Sequence, residues 1–358
     1  MKGIFDRLDS GVFRDERMLL PEHQPSELLF REAEIRAVAR AFSGVATGQR
    51  PENVFVFGPT GTGKTSVARF VLDELKEYTE KASAAYVNCW EHDSRQAVLS
   101  LIADSLGEAL PRRGIGSDEI FSRVVQSMRY QQKACIVVLD EADRIAESGN
   151  ESLFYDLSRA KENHGASFGL VLVSNSQGLL SGLDDRIRSS LRLSPVEFRK
   201  YSPSQLKDIL SARAKNAFNP GACDDEIIGL CAAFGAKAGG DARVALETLW
   251  QAGRNAEKLG AEKIGEKDVR DAYASAGGWK AKQRATGVLE GEQLVLDLLS
   301  KIGEITSGEL YEKYKAVHGE SDRQVRNYVD ALERRKLVVT RDVQSPKGKG
   351  KTRMIRQA

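Results

Sequence analysis

Cysteine is scarce in this chain: there are four among 358 residues, and Cys89, Cys135, Cys223 and Cys231 stand far apart. No pair has the spacing of a metal knuckle, and each lies among apolar or small residues, Cys135 within a predicted buried strand. A disulfide framework and a thiolate metal site are thereby excluded, and buried free thiols in a reducing compartment are expected. Also missing is any apolar run near the roughly 18 residues needed to span a membrane. The charged N-terminus lacks a signal-peptide core, so a cytoplasmic protein without membrane contact is expected. Internal repeats are absent, and the only biased tract is a short basic turn near the C-terminus. A chain of this length, with ordinary hydrophobic and charged fractions, is predicted to hold two or three domains, each with its own core.

Net charge is small, +2 overall, but it is unevenly distributed. Residues 280–358 carry 17 Lys+Arg against 11 Asp+Glu, net +6, whereas residues 1–279 carry 36 against 40, net −4. Residues 345–358 hold five basic groups and no acid. Such a split predicts a C-terminal part that faces nucleic acid.

An apolar run, Val54 to Phe57, drops into Gly58, Pro59, Thr60, Gly61, Thr62, Gly63, Lys64, Thr65 and Ser66. This is the spacing of a nucleoside-triphosphate phosphate loop. Glycines let successive backbone N–H groups turn toward phosphate oxygens, and the helix starting at Lys64 adds its positive dipole end. Lys64 is placed to reach the β- and γ-phosphates, and the Thr65 hydroxyl to ligate Mg²⁺.

Strands are predicted at 54–57, 84–88, 134–139, 168–173 and 191–198. A first helix is predicted over 26–46, and others at 64–80, 95–110, 118–130, 151–163 and 184–189. Continuously apolar strands suit a parallel sheet covered on both faces, so residues 1–201 are predicted to form a doubly wound α/β domain. Strands then stop. Helical patterns at 203–218, 224–234, 241–259 and 266–276 make an α-helical lid over 202–279, and 277–287 reads as a linker. Over 288–358, helices at 292–302, 307–317 and 322–336 precede strands at 337–343 and 352–356 around a turn at 345–351. Three helices closed by a basic hairpin is the winged-helix pattern.

The run 136–139 ends in Asp140 and Glu141, at the strand edge where α/β sheets bind ligands. Asp140 can hold Mg²⁺ beside Thr65, and Glu141 can orient or deprotonate a water. A carboxylate next to the metal ligand implies hydrolysis, because a pure switch needs only the ligand. Asn175, closing the strand 168–173, can hydrogen-bond the γ-phosphate or the attacking water. Arg186 and Arg188, two residues apart, point to different helix faces. One can pair locally with Asp184 or Asp185, and the other can stabilise charge on a neighbouring subunit's nucleotide. Arg186 is the favoured finger, with a surface ion pair as the competing account. In the lid, Asp241 is a plausible N-cap, and Arg243 lies where its guanidinium can reach a γ-phosphate.

Taken in order, these motifs resemble the AAA+ ATPase set. The phrases Val12–Phe13–Arg14–Asp15, Phe30–Arg31–Glu32–Ala33–Glu34, Tyr86–Val87–Asn88–Cys89 and Gly240–Asp241–Ala242–Arg243–Val244–Ala245–Leu246 narrow the resemblance. It is to archaeal-type replication initiators, homologues of the origin recognition complex subunit and cell division control protein 6. Trp90–Glu91–His92–Asp93 and Leu29–Phe30 depart from that family's usual residues. The resemblance implies an ATP-dependent initiator that binds double-stranded origin DNA, hydrolyses ATP slowly as a switch and helps load the replicative minichromosome maintenance helicase. It also implies ATP or ADP with Mg²⁺ as cofactors, a paralogous initiator subunit on DNA, and association with the nucleoid. Base contacts fall to residues 21–31, with Arg31 and Tyr201 as nucleotide contacts. Arg112 and Arg113 occupy the place of an insertion that touches DNA.

On the third C-terminal helix, Arg323, Arg326, Asn327 and Arg334 share a side opposite Val325, Val329 and Leu332. Arg326 and Asn327 can reach base edges and Arg323 phosphate. Lys347, Lys349, Lys351 and Arg353 cluster at the wing, set against phosphates or the minor groove. Two other readings are kept. In one, the chain is an NTPase signalling switch whose winged helix packs internally and binds a protein. In the other it is a clamp-loader-like ATPase, which would end in a helical collar.

Overall fold

The computed structural model describes residues 11–111, 114–274, 290–318, 322–334, 337–344 and 351–357. They fall into two compact units, divided between Ala272 and Tyr273.

The first unit is built on five strands, β1 (Asn53–Phe57), β2 (Ala82–Asn88), β3 (Ala134–Asp140), β4 (Phe168–Ser174) and β5 (Leu193–Glu197). All neighbours pair in parallel, in the order β2-β3-β4-β1-β5. Alternate side chains of one strand feed two cores, as a pleated sheet dictates. Phe55, Val137, Leu139, Leu170 and Leu172 pack on one face with α3 (Arg95–Ser105), α4 (Ser117–Gln131) and α6 (Ser152–His164). Val54, Val56, Ile136, Val138 and Val171 pack on the other with α1 (Glu32–Arg40) and α2 (Lys64–Tyr78). Each such side chain contributes about 1.5–3 kcal/mol by leaving water. Two faces covered explains why β1, β3 and β4 read as unbroken apolar runs.

All five strands predicted for this unit appear within two residues of their positions. The expected helix over 26–46 divides into α1, which starts only after Phe30 at φ 63°, and a 3-10 turn over Ser43–Thr47 that Gly48 closes at φ 83°. The helix expected to reach 110 ends at Ser105, where Gly107 at φ 76° turns the chain. β5 starts at Leu193 because Arg192, at φ 46°, first closes α8 (Asp185–Leu191).

Beyond the sheet lie α9 (Pro203–Ala217), α10 (Asp225–Lys237), α11 (Ala242–Lys258) and α12 (266–274), around a core of their own. Their starts follow capping chemistry: Ser202 and Gln205 form a reciprocal capping box before Pro203, while Asp224 and Asp241 cap α10 and α11. Residues 11–23 belong to this helical part by contact, although they precede the sheet. Phe13 stacks on Phe218 with centroids 5.0 Å apart, Trp250 Nε1 donates to Glu16 at 3.0 Å, and Arg213 donates to the Met18 carbonyl at 2.9 Å. Cys89, Cys135 and Cys231 are buried and Cys223 half-buried, all as free thiols.

The second unit orders α13 (Glu290–Ile302), β6 (Glu304–Thr306), α14 (Ser307–His318), α15 (Asp322–Arg334), β7 (Val338–Gln344) and β8 (Lys351–Gln357). The strands form an antiparallel sheet, β6-β8-β7. Leu299, Leu310, Tyr314, Val325, Val329, Leu332 and Ile355 fill its core. Among the described residues, no helix is long and apolar enough to cross a membrane. The expected linker at 277–287 lies outside the described residues.

Gly253 tests the strap formed by residues 11–23, since a Cβ there would stand 2.4 Å from Phe13 Cζ. Gly253→Ala is expected to displace that ring and lower stability by about 1–3 kcal/mol in urea titration. Cleavage before residue 31 by a trace protease should quicken; an unchanged midpoint would show that the strap does not bear on the lid.

Candidate functional site

β1 hands directly to a loop whose glycines take the left-handed backbone region: φ is 69° at Gly61 and 89° at Gly63. At Gly58 a Cβ would stand 2.2 Å from the Phe198 carbonyl oxygen, so only glycine allows the loop to pass the end of β5. Thr62 Oγ1 braces the turn by donating to the Pro59 carbonyl at 2.8 Å. α2 then begins at Lys64, with its N-terminal N–H groups and dipole at the same place.

Lys64 is buried, and its ammonium donates to the Gly58 and Pro59 carbonyls at 2.8 Å each and to Asn175 Oδ1 at 3.0 Å. Because β4 lies between β1 and β3, its end places Asn175 between the loop and the acidic pair. The same amide donates from Nδ2 to Glu141 Oε2 at 2.6 Å. Asn175 therefore ties the cation to the second carboxylate. Glu141 sits at φ 57°, an uncommon conformation for a side-chain-bearing residue. Asp140 is buried and densely bonded: Oδ2 accepts from Thr65 Oγ1 at 2.8 Å and Tyr86 OH at 2.7 Å, and Oδ1 from the Glu141 N–H at 3.1 Å.

Burial pushes the Lys64 ammonium down to about 8, with Arg243 acting in the same direction and Glu141, Asp140 and Asp241 against it. Burial raises the Glu141 carboxyl, and Asp140 adds to the rise, while the Asn175 hydrogen bond and Lys64 oppose it. Asp143, bonded by Ser174 Oγ at 3.0 Å, is likewise raised by burial.

The lid reaches the loop through the start of α11. Asp241 Oδ1 caps the helix at Arg243 N (2.9 Å), Thr60 Oγ1 donates to its Oδ2 at 3.4 Å, and Ala242 N donates to the Gly61 carbonyl at 3.1 Å. Arg243 is exposed at this end of α11. Ser66 presents its carbonyl to Gln24 Nε2 at 3.4 Å.

Arg31 lies against the phosphate loop. It is buried, and its donors go to the Thr62 carbonyl (2.8 Å), Tyr201 OH (3.1 Å), Glu34 (2.9 Å) and the Arg199 carbonyl (2.7 Å). Its guanidinium lies 4.0 Å over the Tyr201 ring. The pair Arg31–Tyr201 thus pins the phosphate loop from outside. Arg186 is exposed with no side-chain partner among the described residues, whereas Arg188 pairs with Asp185. Arg112 and Arg113 lie outside the described residues.

In the second unit Arg326 and Asn327 are exposed on α15, whose Val325, Val329 and Leu332 are buried. Arg326 lies 5.5 Å from the Tyr311 ring centroid. Arg353 is drawn to α15 by Asp330 at 2.8 Å. Lys347 and Lys349 lie outside the described residues, as do the side chains of Arg323, Arg334 and Lys351. Sequence reasoning missed the Tyr86 hydroxyl and the Asp241 contact to the loop. Both depend on strand or domain neighbours that local spacing does not name.

A phosphate loop after β1, an acidic pair at β3, a bridging asparagine at β4 and a helical lid touching the loop define an AAA+ ATPase. Residues 48–180 match the AAA domain profile, and residues 207–274 the Cdc6 AAA+ ATPase-type lid domain. The ORC1-type DNA replication protein 1 of Aeropyrum pernix is 34% identical, over 86% of this chain and 81% of that protein. Its counterpart from Methanothermobacter thermautotrophicus is 33% identical over 98% and 95%. Among solved structures, Aeropyrum pernix ORC1 in complex with DNA aligns over 98% of this chain and 94% of its own, with TM-score 0.76 and 33% identity. Pyrobaculum aerophilum Cdc6p, at 24% identity and TM-score 0.67, shares the fold. The chain belongs to the family of ORC1-type DNA replication proteins.

Nucleotide affinity should be level up to about pH 8 and fall beyond it, because phosphate prefers the charged ammonium and burial lowers its proton affinity. Lys64→Met should bind weakly at every pH. Fluorescent ADP titration checks both; an affinity level to about pH 10, near the ordinary lysine value, would contradict the burial effect.

Proposed function

We propose that this protein is an ATP-dependent initiator that binds duplex origin DNA through its C-terminal unit and uses slow ATP hydrolysis as a switch. The observation that supports this best is α15: a buried apolar side anchors a helix whose exposed Arg326 and Asn327 suit base edges in a major groove. The helix order and antiparallel sheet of that unit suit a winged helix, and Aeropyrum pernix ORC1 is a DNA-bound relative. Lys347, Lys349, Lys351, Arg353 and Arg323 add phosphate contacts, with Arg112 and Arg113 from the first unit.

In the ATPase site, Lys64 takes the β- and γ-phosphates. Thr65 Oγ1 and the Asp140 carboxylate, joined by a 2.8 Å hydrogen bond, offer the hard oxygen donors that Mg²⁺ prefers. A magnesium ion held there would neutralise phosphate charge. Glu141 orients or deprotonates the attacking water. Its 2.6 Å bond from Asn175 occupies one carboxylate oxygen, which suits slow turnover. Arg243 reaches the γ-phosphate from the lid, and exposed Arg186 reaches the nucleotide of a paralogous initiator subunit. Helicase loading, with the minichromosome maintenance helicase as partner, follows from the ATP-bound form on nucleoid DNA.

Competition binding with an origin fragment against random duplex tests the DNA half. Arg326→Ala should lose about 1–3 kcal/mol and relax sequence preference; equal affinity for both duplexes in the parent protein would sink it. Arg186→Ala tests the finger. It should leave nucleotide affinity intact and remove the part of the hydrolysis rate that grows with protein concentration on DNA. A rate that stays first-order in protein and insensitive to the substitution would return Arg186 to the surface.

A further inference from the structure

Tyr86 lies on β2 and pairs in register with Val138 of β3, two residues short of the Asn88–Asp140 pair. Its hydroxyl crosses to Asp140 Oδ2 at 2.7 Å, the oxygen that also accepts from Thr65 at 2.8 Å. Arg69, one helical turn after Thr65 on α2, lays its guanidinium 4.0 Å from the centroid of the Tyr86 ring. The four residues close a ring: Thr65 to Asp140, Asp140 to Tyr86, Tyr86 to Arg69, and back along one face of α2. A carboxylate with a single donor can rotate about its terminal torsion. Two hydroxyl donors on Oδ2, with a backbone N–H on Oδ1, fix the plane of the Asp140 carboxylate.

We propose that Tyr86, steadied by Arg69, is a positioning residue that holds Asp140 in the orientation required for the divalent cation accompanying the nucleotide. The proposal rests on the nucleotide reading of the phosphate loop and adds a determinant of metal dependence outside the loop and the acidic pair. Tyr86 lies outside the phosphate loop and the acidic pair, and its hydroxyl bonds to Asp140. Its effect therefore passes through Asp140, as the outer partners of metal ligands act elsewhere. The Thr65 hydroxyl gives its proton to Asp140 Oδ2 and keeps its lone pairs for a cation, while Oδ1, which accepts one backbone N–H, keeps a lone pair for it too.

Tyr86→Phe keeps the ring and its packing and removes only the donor. Fluorescent ADP binding is measured against Mg²⁺ concentration and, separately, in chelator. The half-saturating Mg²⁺ concentration is expected to rise about tenfold, the lower reach of such outer-partner effects. Affinity in chelator and the melting temperature should stay near those of the parent. Arg69→Met, which keeps an unbranched stem but no charge over the ring, should shift Mg²⁺ dependence in the same direction by about threefold. An unchanged Mg²⁺ curve in Tyr86→Phe overturns the proposal, and so does an equal loss with and without the metal, which marks a packing role. Absence of Mg²⁺-dependent binding in the parent protein would instead remove the nucleotide reading itself.

Discussion

Burying the Lys64 ammonium removes solvation that three acceptors and the neighbouring carboxylates must offset, and each acceptor is fixed by a different part of the chain. The Gly58 and Pro59 carbonyls come from the loop turn, and Asn175 Oδ1 from the end of β4. An unpaired buried cation would cost several kcal/mol, so the loop cannot keep this form unless β1 and β4 are neighbours in register. Their pairing, Val54 with Val171 through Phe57 with Ser174, is thus a condition for the charge arrangement as well as for the core. The demand passes onward, because the Asn175 side chain that accepts from Lys64 must present its other end to Glu141. The loop, the end of β4 and the acidic pair become one hydrogen-bonded unit.

That unit is gripped from three directions. The Phe198 carbonyl backs Gly58, Asp241 and Ala242 meet Thr60 and Gly61 from the lid, and Arg31 holds the Thr62 carbonyl from the N-terminal side. The strap of residues 11–23 that precedes Arg31 in the chain is itself bound to lid helices through Phe13, Glu16 and Met18. A shift of the lid must then be felt at the loop by two routes, one direct and one through the strap. α11 makes the direct route stiff, since its N-cap and first N–H are the contacting groups and Arg243 follows one residue later. Coupling of this sort requires no flexible segment, only two packed bodies that share a few polar contacts.

The phosphate loop was legible because its chemistry fixes residue types at fixed offsets within nine positions. The five strands were legible because burial on both faces leaves long apolar runs, and the lid helices because their caps are polar residues at the expected places. What escaped were contacts that no motif names, set by neighbours distant in sequence. The chain does not announce that the Arg31 guanidinium is held by Thr62, Tyr201 and Arg199, more than 30 positions away in the nearest case. Tyr86 looks like an ordinary strand residue until β2 is set beside β3. Phe30 and Arg192 adopted left-handed backbone angles that their side chains do not advertise, and both moved an element boundary.

Charge segregation carries a further physical consequence. Had the net +2 been spread evenly, phosphate backbones would meet weak attraction everywhere and orientation nowhere. Concentrating net +6 in residues 280–358, against −4 in the rest, gives the long-range field a direction. Ions screen that field within about 10 Å at moderate salt, so it steers encounter and leaves the reading of bases to short-range contacts. In the function proposed above, that second task falls to Arg326 and Asn327, exposed on a helix whose other side is held by Val325, Val329 and Leu332. On that proposal steering and reading fall to different groups of one unit, and salt should weaken the first much more than the second.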